Sequence, residues 1–167
     1  MRLFIAIPFS DDVKSALLDS MEDLKAKHVF GNYTREENLH LTLAFLGEFD
    51  DPSAVIAAMK DLSFPPIPLT LHGAGRFGDL YWVGLAHSNA LLETVRTLRR
   101  TLDARGIRYD HKKFKPHITV LRRAVSAEPV RIKVMPASMT ADRICLMSSS
   151  VVGGKRTYTE LFSVRAW

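Results

Sequence analysis

The stretch Leu39-His40-Leu41-Thr42-Leu43-Ala44-Phe45-Leu46-Gly47 has a counterpart in Pro116-His117-Ile118-Thr119-Val120. Each sets His, an aliphatic residue, Thr and a second aliphatic residue in order, inside an apolar run that reads as a β-strand. Successive strand side chains point to opposite faces. His40 and Thr42 therefore share one face, with Leu39, Leu41, Leu43 and Phe45 on the other. His117 and Thr119 likewise share a face, while Ile118 and Val120 turn toward a core. A lone His on a polar strand face is ordinarily a solvated or hydrogen-bonded side chain. One such tetrad arises by chance with a probability of roughly a few per cent at ordinary composition, and two together far more rarely. The repetition is the signal.

Outward from these tetrads the chain reads as alternating strands and helices. Residues 2–7 form a buried strand, and Ser10-Asp11-Asp12 offers an N-cap to a helix with Val13, Leu17, Leu18, Met21 and Leu24 at helical spacing. A loop is expected from Gly31-Asn32 to Glu37-Asn38, then the first motif strand at 39–46, closed by Gly47. Asp51-Pro52-Ser53 opens a short helix to about Lys60, with Pro52 in its first turn. Pro65, Pro66 and Pro68 precede a strand at 69–72, the glycines from Gly73 to Gly78 mark a loop, and Leu80–Ala86 is a further strand. Residues 88–105 make the clearest helix, with Leu91, Leu92, Val95, Leu98 and Leu102 on one face and Gly106 as its stop. An extended Ile107–Asp110, the second motif strand at 117–122, and two strands near 142–150 and 157–165 complete the chain. Each half thus contains an apolar strand, a long amphipathic helix and a His-x-Thr strand. The fold class this implies is α+β and bilobal: pseudo-two-fold duplicated sheet-plus-helix lobes, their antiparallel sheets flanking a central cleft. Linker composition does not separate domains, so residues 1–167 are read as one.

Composition bounds the function. The chain of 167 residues is long enough for a real core, and 47% hydrophobic with 25% charged residues is ordinary for a soluble globular protein. No apolar run approaches the ~20 residues of a membrane span, and the N-terminus is too short in apolar length for a signal peptide, so a cytoplasmic location is expected. Cys145 is the sole cysteine, which excludes an internal disulfide and argues against a thiolate metal site. It sits in an apolar run, as a small hydrophobe with no nearby base. The net charge is +5, and Lys112, Lys113, Lys115, Arg122 and Arg123 bracket the second tetrad, where their field favours anions, phosphates above all. The glycines compose no strand–GxGxxG–helix fingerprint.

Two imidazoles facing one cleft suit displacement at phosphorus. With an ordinary pKa of about 6.5, one ring can be neutral and take a proton from water while the other is protonated and supplies the leaving oxygen. Each such transfer is typically worth about 10²–10⁴-fold. Thr hydroxyls two residues along can donate to phosphate oxygens. Two His make a poor metal site, because Glu36, Glu37 and Glu48 flank the first motif without sharing its register. Nothing nearby marks either ring as a covalent nucleophile.

Glu37-Asn38-Leu39-His40-Leu41-Thr42-Leu43, Phe45-Leu46-Gly47 and Pro116-His117-Ile118-Thr119-Val120 resemble the motifs of the 2H phosphoesterase superfamily. Within it the chain is most similar to the RNA 2′,3′-cyclic phosphodiesterase (2′-5′ RNA ligase) family. The opening Arg2-Leu3-Phe4-Ile5-Ala6-Ile7, the Gly73–Phe77 loop and the closing Tyr158-Thr159-Glu160-Leu161 extend the likeness over nearly the whole chain. The resemblance implies opening of a terminal 2′,3′-cyclic phosphate on RNA to a 2′-phosphomonoester, with no metal or other cofactor, no membrane and no obligate protein partner. It implies that His40 is the proton donor and His117 the proton acceptor, and that Thr42, Thr119 and Arg122 bind phosphate. Strict alternation turns Arg122 away from His117, so a twist, a bulge or a wrapped side chain is required there. Base or ribose contacts are expected from Tyr33, Phe114 and Tyr158. Asn32-Tyr33 replaces an Arg-Trp pair, and Lys115 a His, found in many relatives, departures that bear on base preference.

Two other readings use the same residues. A phosphodiesterase of 2′-5′ linked oligonucleotides or small cyclic nucleotides needs nearly identical groups. A non-catalytic RNA or nucleotide-binding module would use the basic and aromatic sheet surface alone, and has no need of two matched His.

Overall fold

A computed structural model describes every residue from Met1 to Trp167. Nine strands form two antiparallel sheets. The first has the order β3 (His40–Glu48), β1 (Arg2–Pro8), β8 (Arg143–Val152), β9 (Lys155–Arg165). The second has the order β2 (Phe30–Tyr33), β6 (His117–Val125), β5 (Leu80–Leu85), β4 (Ile67–Phe77), β7 (Ser138–Ala141). In each, the motif strand pairs antiparallel with the strand that precedes it by one helix: β1 with β3 around α1 (Asp11–Ala26), β5 with β6 around α3 (Asn89–Ala104). The pseudo-repeat is therefore real at the level of strand–helix–motif strand.

The lobes are not the two half-chains, however. The first sheet takes β1 and β3 from the start of the chain and β8 and β9 from its end, while β2 crosses to the second sheet. Local spacing reveals elements but carries no pairing information, which is why the interleaving was not visible in it. Three further differences have local causes. Phe30–Tyr33, expected as loop, is an edge strand with exposed residues and hence no alternation to read. Its Gly31, at φ +148°, lets the backbone approach Arg122 and Arg123, whose carbonyl oxygens would each lie 2.8 Å from an added Cβ. The stretch Gly73–Phe77, expected as loop, continues β4 after a register shift between Leu71 and Ala74. The four-residue β7 lacked any apolar period.

Helix placement follows polarity and capping. The Ser10 and Ser88 hydroxyls accept from Val13 N at 3.3 Å and Leu91 N at 3.1 Å, starting α1 and α3. Gly106, at φ +66°, ends α3 as a left-handed stop. The short α2 is Ser53–Lys60, with Pro52 just before its first residue. Helix α1 packs on β6 and β7, α3 on β4 and α2, and α2 on β9. Leu91, Val95, Leu98 and Leu102 of α3 are buried, each contributing about 1.5–3 kcal/mol of hydrophobic stabilisation. The buried residues of both sheets and all three helices form one contiguous core. The His and Thr of both tetrads are half-buried and lie outside that core. No helix is long and apolar enough to cross a membrane.

Candidate active site

Both motif strands carry a one-residue bulge at the same point. In β3, Ala44 pairs with Ile5 and Thr42 with Ala6, leaving Leu43 extra. In β6, Leu121 pairs with Tyr81 and Thr119 with Trp82, leaving Val120 extra. A bulge advances the alternation by one residue. Leu43 with Ala44, and Val120 with Leu121, are accordingly buried as consecutive pairs. The residue five positions after each His then returns to the His–Thr face. In β6 that residue is Arg122, so the bulge resolves the conflict with strict alternation. In β3 it is Phe45, which the simple period had placed on the core face and which is 53% exposed.

The two His are oriented alike. His40 Nδ1 is 2.7 Å from Asn38 O, and His117 Nδ1 is 2.6 Å from Lys115 O, in each case the carbonyl two residues before the ring. A carbonyl can only accept, so Nδ1 carries the proton and Nε2 is the reactive nitrogen. His40 Nε2 lies 2.8 Å from Thr42 Oγ1, whereas His117 Nε2 has no hydrogen-bond partner. Burial, and then the positive charge of Arg122, hold His40 below its ordinary pKa, opposed only by the hydrogen bond to Asn38. Arg122 thus acts on the ring of the opposite sheet. The sequence places its charge beside His117; the fold brings it to both motifs.

Asn38 ties this side of the cleft together. It is 8% exposed, and besides accepting from His40 it donates from Nδ2 to Arg156 O at 3.0 Å, tethering the β8–β9 hairpin. Tyr158, on that hairpin, then meets His40 edge-on at 5.2 Å and Phe4 at 4.9 Å, while Phe4 lies 4.9 Å from His40 and 6.3 Å from Phe45. On the other sheet Phe77 stands edge-on to His117 at 5.5 Å and tilts against Trp82 at 5.4 Å.

Of the expected site residues, His40, Thr42, His117, Thr119, Arg122 and Tyr158 come to this face. Tyr33 and Phe114 do not. Tyr33 pairs with Leu121 on the core face, donates to Val29 O at 2.6 Å and lies under Lys25 of α1. Alternation explains it: the neighbouring Asn32, paired with Arg122, takes the cleft face. Phe114 is half-buried against the core, with the Arg99 guanidinium of α3 5.9 Å from its ring. Asn38, Phe4, Phe45, Phe77 and Trp82 were missed; for Phe45 the signal was available, since its offset from His40 equals that of Arg122 from His117. Cys145 does have a base beside it, Glu160 Oε1 at 3.2 Å, but burial and that carboxylate push its thiol up to about 12, so it is no nucleophile. No group of three or more His, Cys, Asp or Glu side chains is placed to hold a metal ion.

Two antiparallel sheets whose His-x-Thr strands β3 and β6 meet, with Arg122 of one acting on His40 of the other, define a 2H phosphoesterase fold. Residues 11–153 match the model of the 2′-5′ RNA ligase superfamily, and the chain belongs to that family. The RNA 2′,3′-cyclic phosphodiesterase of Thermotoga maritima is 30% identical, over 97% of this chain and 94% of that protein. The crystal structure of Escherichia coli LigT complexed with 3′-AMP superposes with a TM-score of 0.83 at 28% identity, covering 99% of this chain and 96% of LigT. A Thermus thermophilus structure shares the fold at TM-score 0.84 and 24% identity, over 99% and 97% of the two chains.

Proposed function

We propose that this chain is an RNA 2′,3′-cyclic phosphodiesterase, opening the terminal cyclic phosphate to a 2′-phosphomonoester. The observation that carries this reading is the matched register: His, Thr and the residue after each bulge share one face in both sheets, with both reactive Nε2 atoms on that face.

In this mechanism His117 Nε2, free of any partner, takes a proton from water as the water oxygen forms its bond to phosphorus. The bond from phosphorus to O3′ breaks, and His40, protonated at Nε2, delivers that proton to O3′. The product is a 2′-phosphate beside a 3′-hydroxyl, and solvent exchange restores the two rings. Thr42, Thr119 and Arg122 donate to the non-bridging oxygens, where negative charge accumulates. In the protein alone burial and Arg122 favour neutral His40. A bound phosphodiester offsets the Arg122 charge and sets its own negative charge near the ring, which moves His40 toward the imidazolium against the effect of burial. Phe45 and Tyr158, backed by the buried Phe4, offer an apolar wall on which the terminal base can stack. With a 5′-hydroxyl in place of water, the same transfers would form a 2′-5′ bond.

The test is hydrolysis of adenosine 2′,3′-cyclic phosphate by the wild type, His40→Ala and His117→Ala, with the product identified by phosphorus NMR. Loss of about 10²-fold or more in each variant and a 2′-phosphate product are expected. A 3′-phosphate product, or wild-type turnover in both variants, would refute the assignment. Faster cleavage of a 2′-5′ linked dinucleotide than of the cyclic phosphate would move the substrate to the former class.

A further inference from the structure

The two tetrads are chemically alike, yet they stand on different floors. Across from Thr42 on the neighbouring strand is Ala6; across from Thr119 is Trp82. Ala6 brings only a methyl group to this floor and is itself 1% exposed, and over it His40 Nε2 reaches Thr42 Oγ1 at 2.8 Å. On the other sheet the indole lies flat over two glycines. A Cβ on Gly75 would sit 2.5 Å from Trp82 Cζ2, and one on Gly84, the residue paired with His117, would sit 3.2 Å from Cζ3. Trp82 Nε1 is buried with no hydrogen-bond partner. The ring is thus held there for its shape, not for its donor. Phe77 rests on it and meets His117 edge-on.

We propose that Trp82 is a positioning residue for His117: it fills the floor beside Thr119, braces Phe77 against the imidazole, and leaves Nε2 free to accept a proton. The difference between Ala6 and Trp82 then makes one tetrad a hydroxyl-engaged donor and the other an unengaged acceptor. This rests on the acid–base reading above and deepens it, by naming what separates two identical motifs. Gly75 belongs to the device, since a side chain there would lift the indole, whereas one at Gly84 would first meet the His72 carbonyl of β4 at 2.8 Å.

The experiment is steady-state kinetics of the full chain on adenosine 2′,3′-cyclic phosphate across pH. Trp82→Ala is expected to lower kcat by about tenfold or more with KM changed less than about threefold, and to displace the limb of the pH profile that reports His117. Trp82→Phe should recover most of the rate. Gly75→Ala, which keeps the Trp but pushes it, should reproduce the kcat loss and serves if Trp82→Ala does not fold. In a His117→Ala background, Trp82→Ala should change the residual rate by less than about twofold. Wild-type kcat in both Trp82→Ala and Gly75→Ala would overturn the proposal, as would an undiminished loss in the His117→Ala background. A raised KM at unchanged kcat would overturn it too, by making the indole a substrate-stacking surface. Full activity of His117→Ala would instead refute the acid–base reading itself.

Discussion

Arg122 offers a perturbation with two separable readouts. It reaches the cleft face only because Val120 is bulged, and it joins none of the ion pairs in the protein. Its guanidinium is therefore available to an anion. Hydrogen bonds to charged groups contribute about 1.5–3 kcal/mol, so Arg122→Ala should lower kcat/KM for a cyclic nucleotide by roughly 10- to 150-fold. The same substitution removes a charge that holds His40 down, so the His40 titration followed by NMR in the free protein should move upward. It should stop short of the ordinary value, because burial, the larger cause, remains. Arg122→Lys separates the two effects. The charge persists, keeping His40 low, while the planar fork is lost and kcat/KM still falls. An unmoved His40 titration together with kcat/KM within about threefold of wild type would place Arg122 away from both ring and phosphate, and the bulge-phase argument would be wrong.

Stability should depend on pH through His40. Its folded pKa is depressed, so in the unfolded chain it takes up a proton near pH 6.5 while the folded protein resists doing so. Stability is then lost as pH falls below about 6.5, and His40→Gln should flatten that part of the melting-temperature profile; an unchanged slope would contradict the desolvated ring. Asn38→Ala removes the hydrogen bond to the O of the exposed Arg156 and should cost about 0.5–1.5 kcal/mol in urea denaturation, with His40 keeping its tautomer because its acceptor is backbone. A neutral result would mean that the hairpin is held elsewhere. Cys145, buried and pushed up to about 12, should react with a thiol reagent at pH 8 only after unfolding, and rapid labelling of the native protein would overturn its placement.

What was legible in the sequence was whatever short-range periodicity encodes. The capped helices, the apolar strands and the two motif strands all follow from spacing within a single element. So does the strand–helix–motif strand unit, because each copy is contiguous. Pairing was not legible: nothing local says that β8 and β9 join β1, or that β2 leaves for the other sheet. Edge strands were lost for a related reason, since β2 and β7 bury too little for alternation to show. The resemblance implies base or ribose contacts from Tyr33 and Phe114, but position along the chain does not choose a face. Tyr33 is one residue out of phase with the cleft, and Phe114 precedes the strand and packs toward α3.

The misplacement of Phe45 and the awkwardness of Arg122 have one cause, a single extra residue after each His-x-Thr. That shared irregularity bears on why the motif has four positions. The last of them, Leu43 or Val120, is an aliphatic residue that doubles with its successor into the core, and this doubling turns the following side chain back to the cleft. The bulge thereby makes a third position on each active face that the alternating period alone would have buried. On one sheet that position carries a cation, on the other an exposed phenyl ring. Under the proposed mechanism, a ligand with a phosphate at one end and a flat heterocycle at the other would meet both. In that mechanism the symmetric part of the repeat supplies the proton transfers. The unequal residues that the bulges deliver, and the unequal Ala6 and Trp82 beside the two Thr, would then set the direction in which the substrate lies.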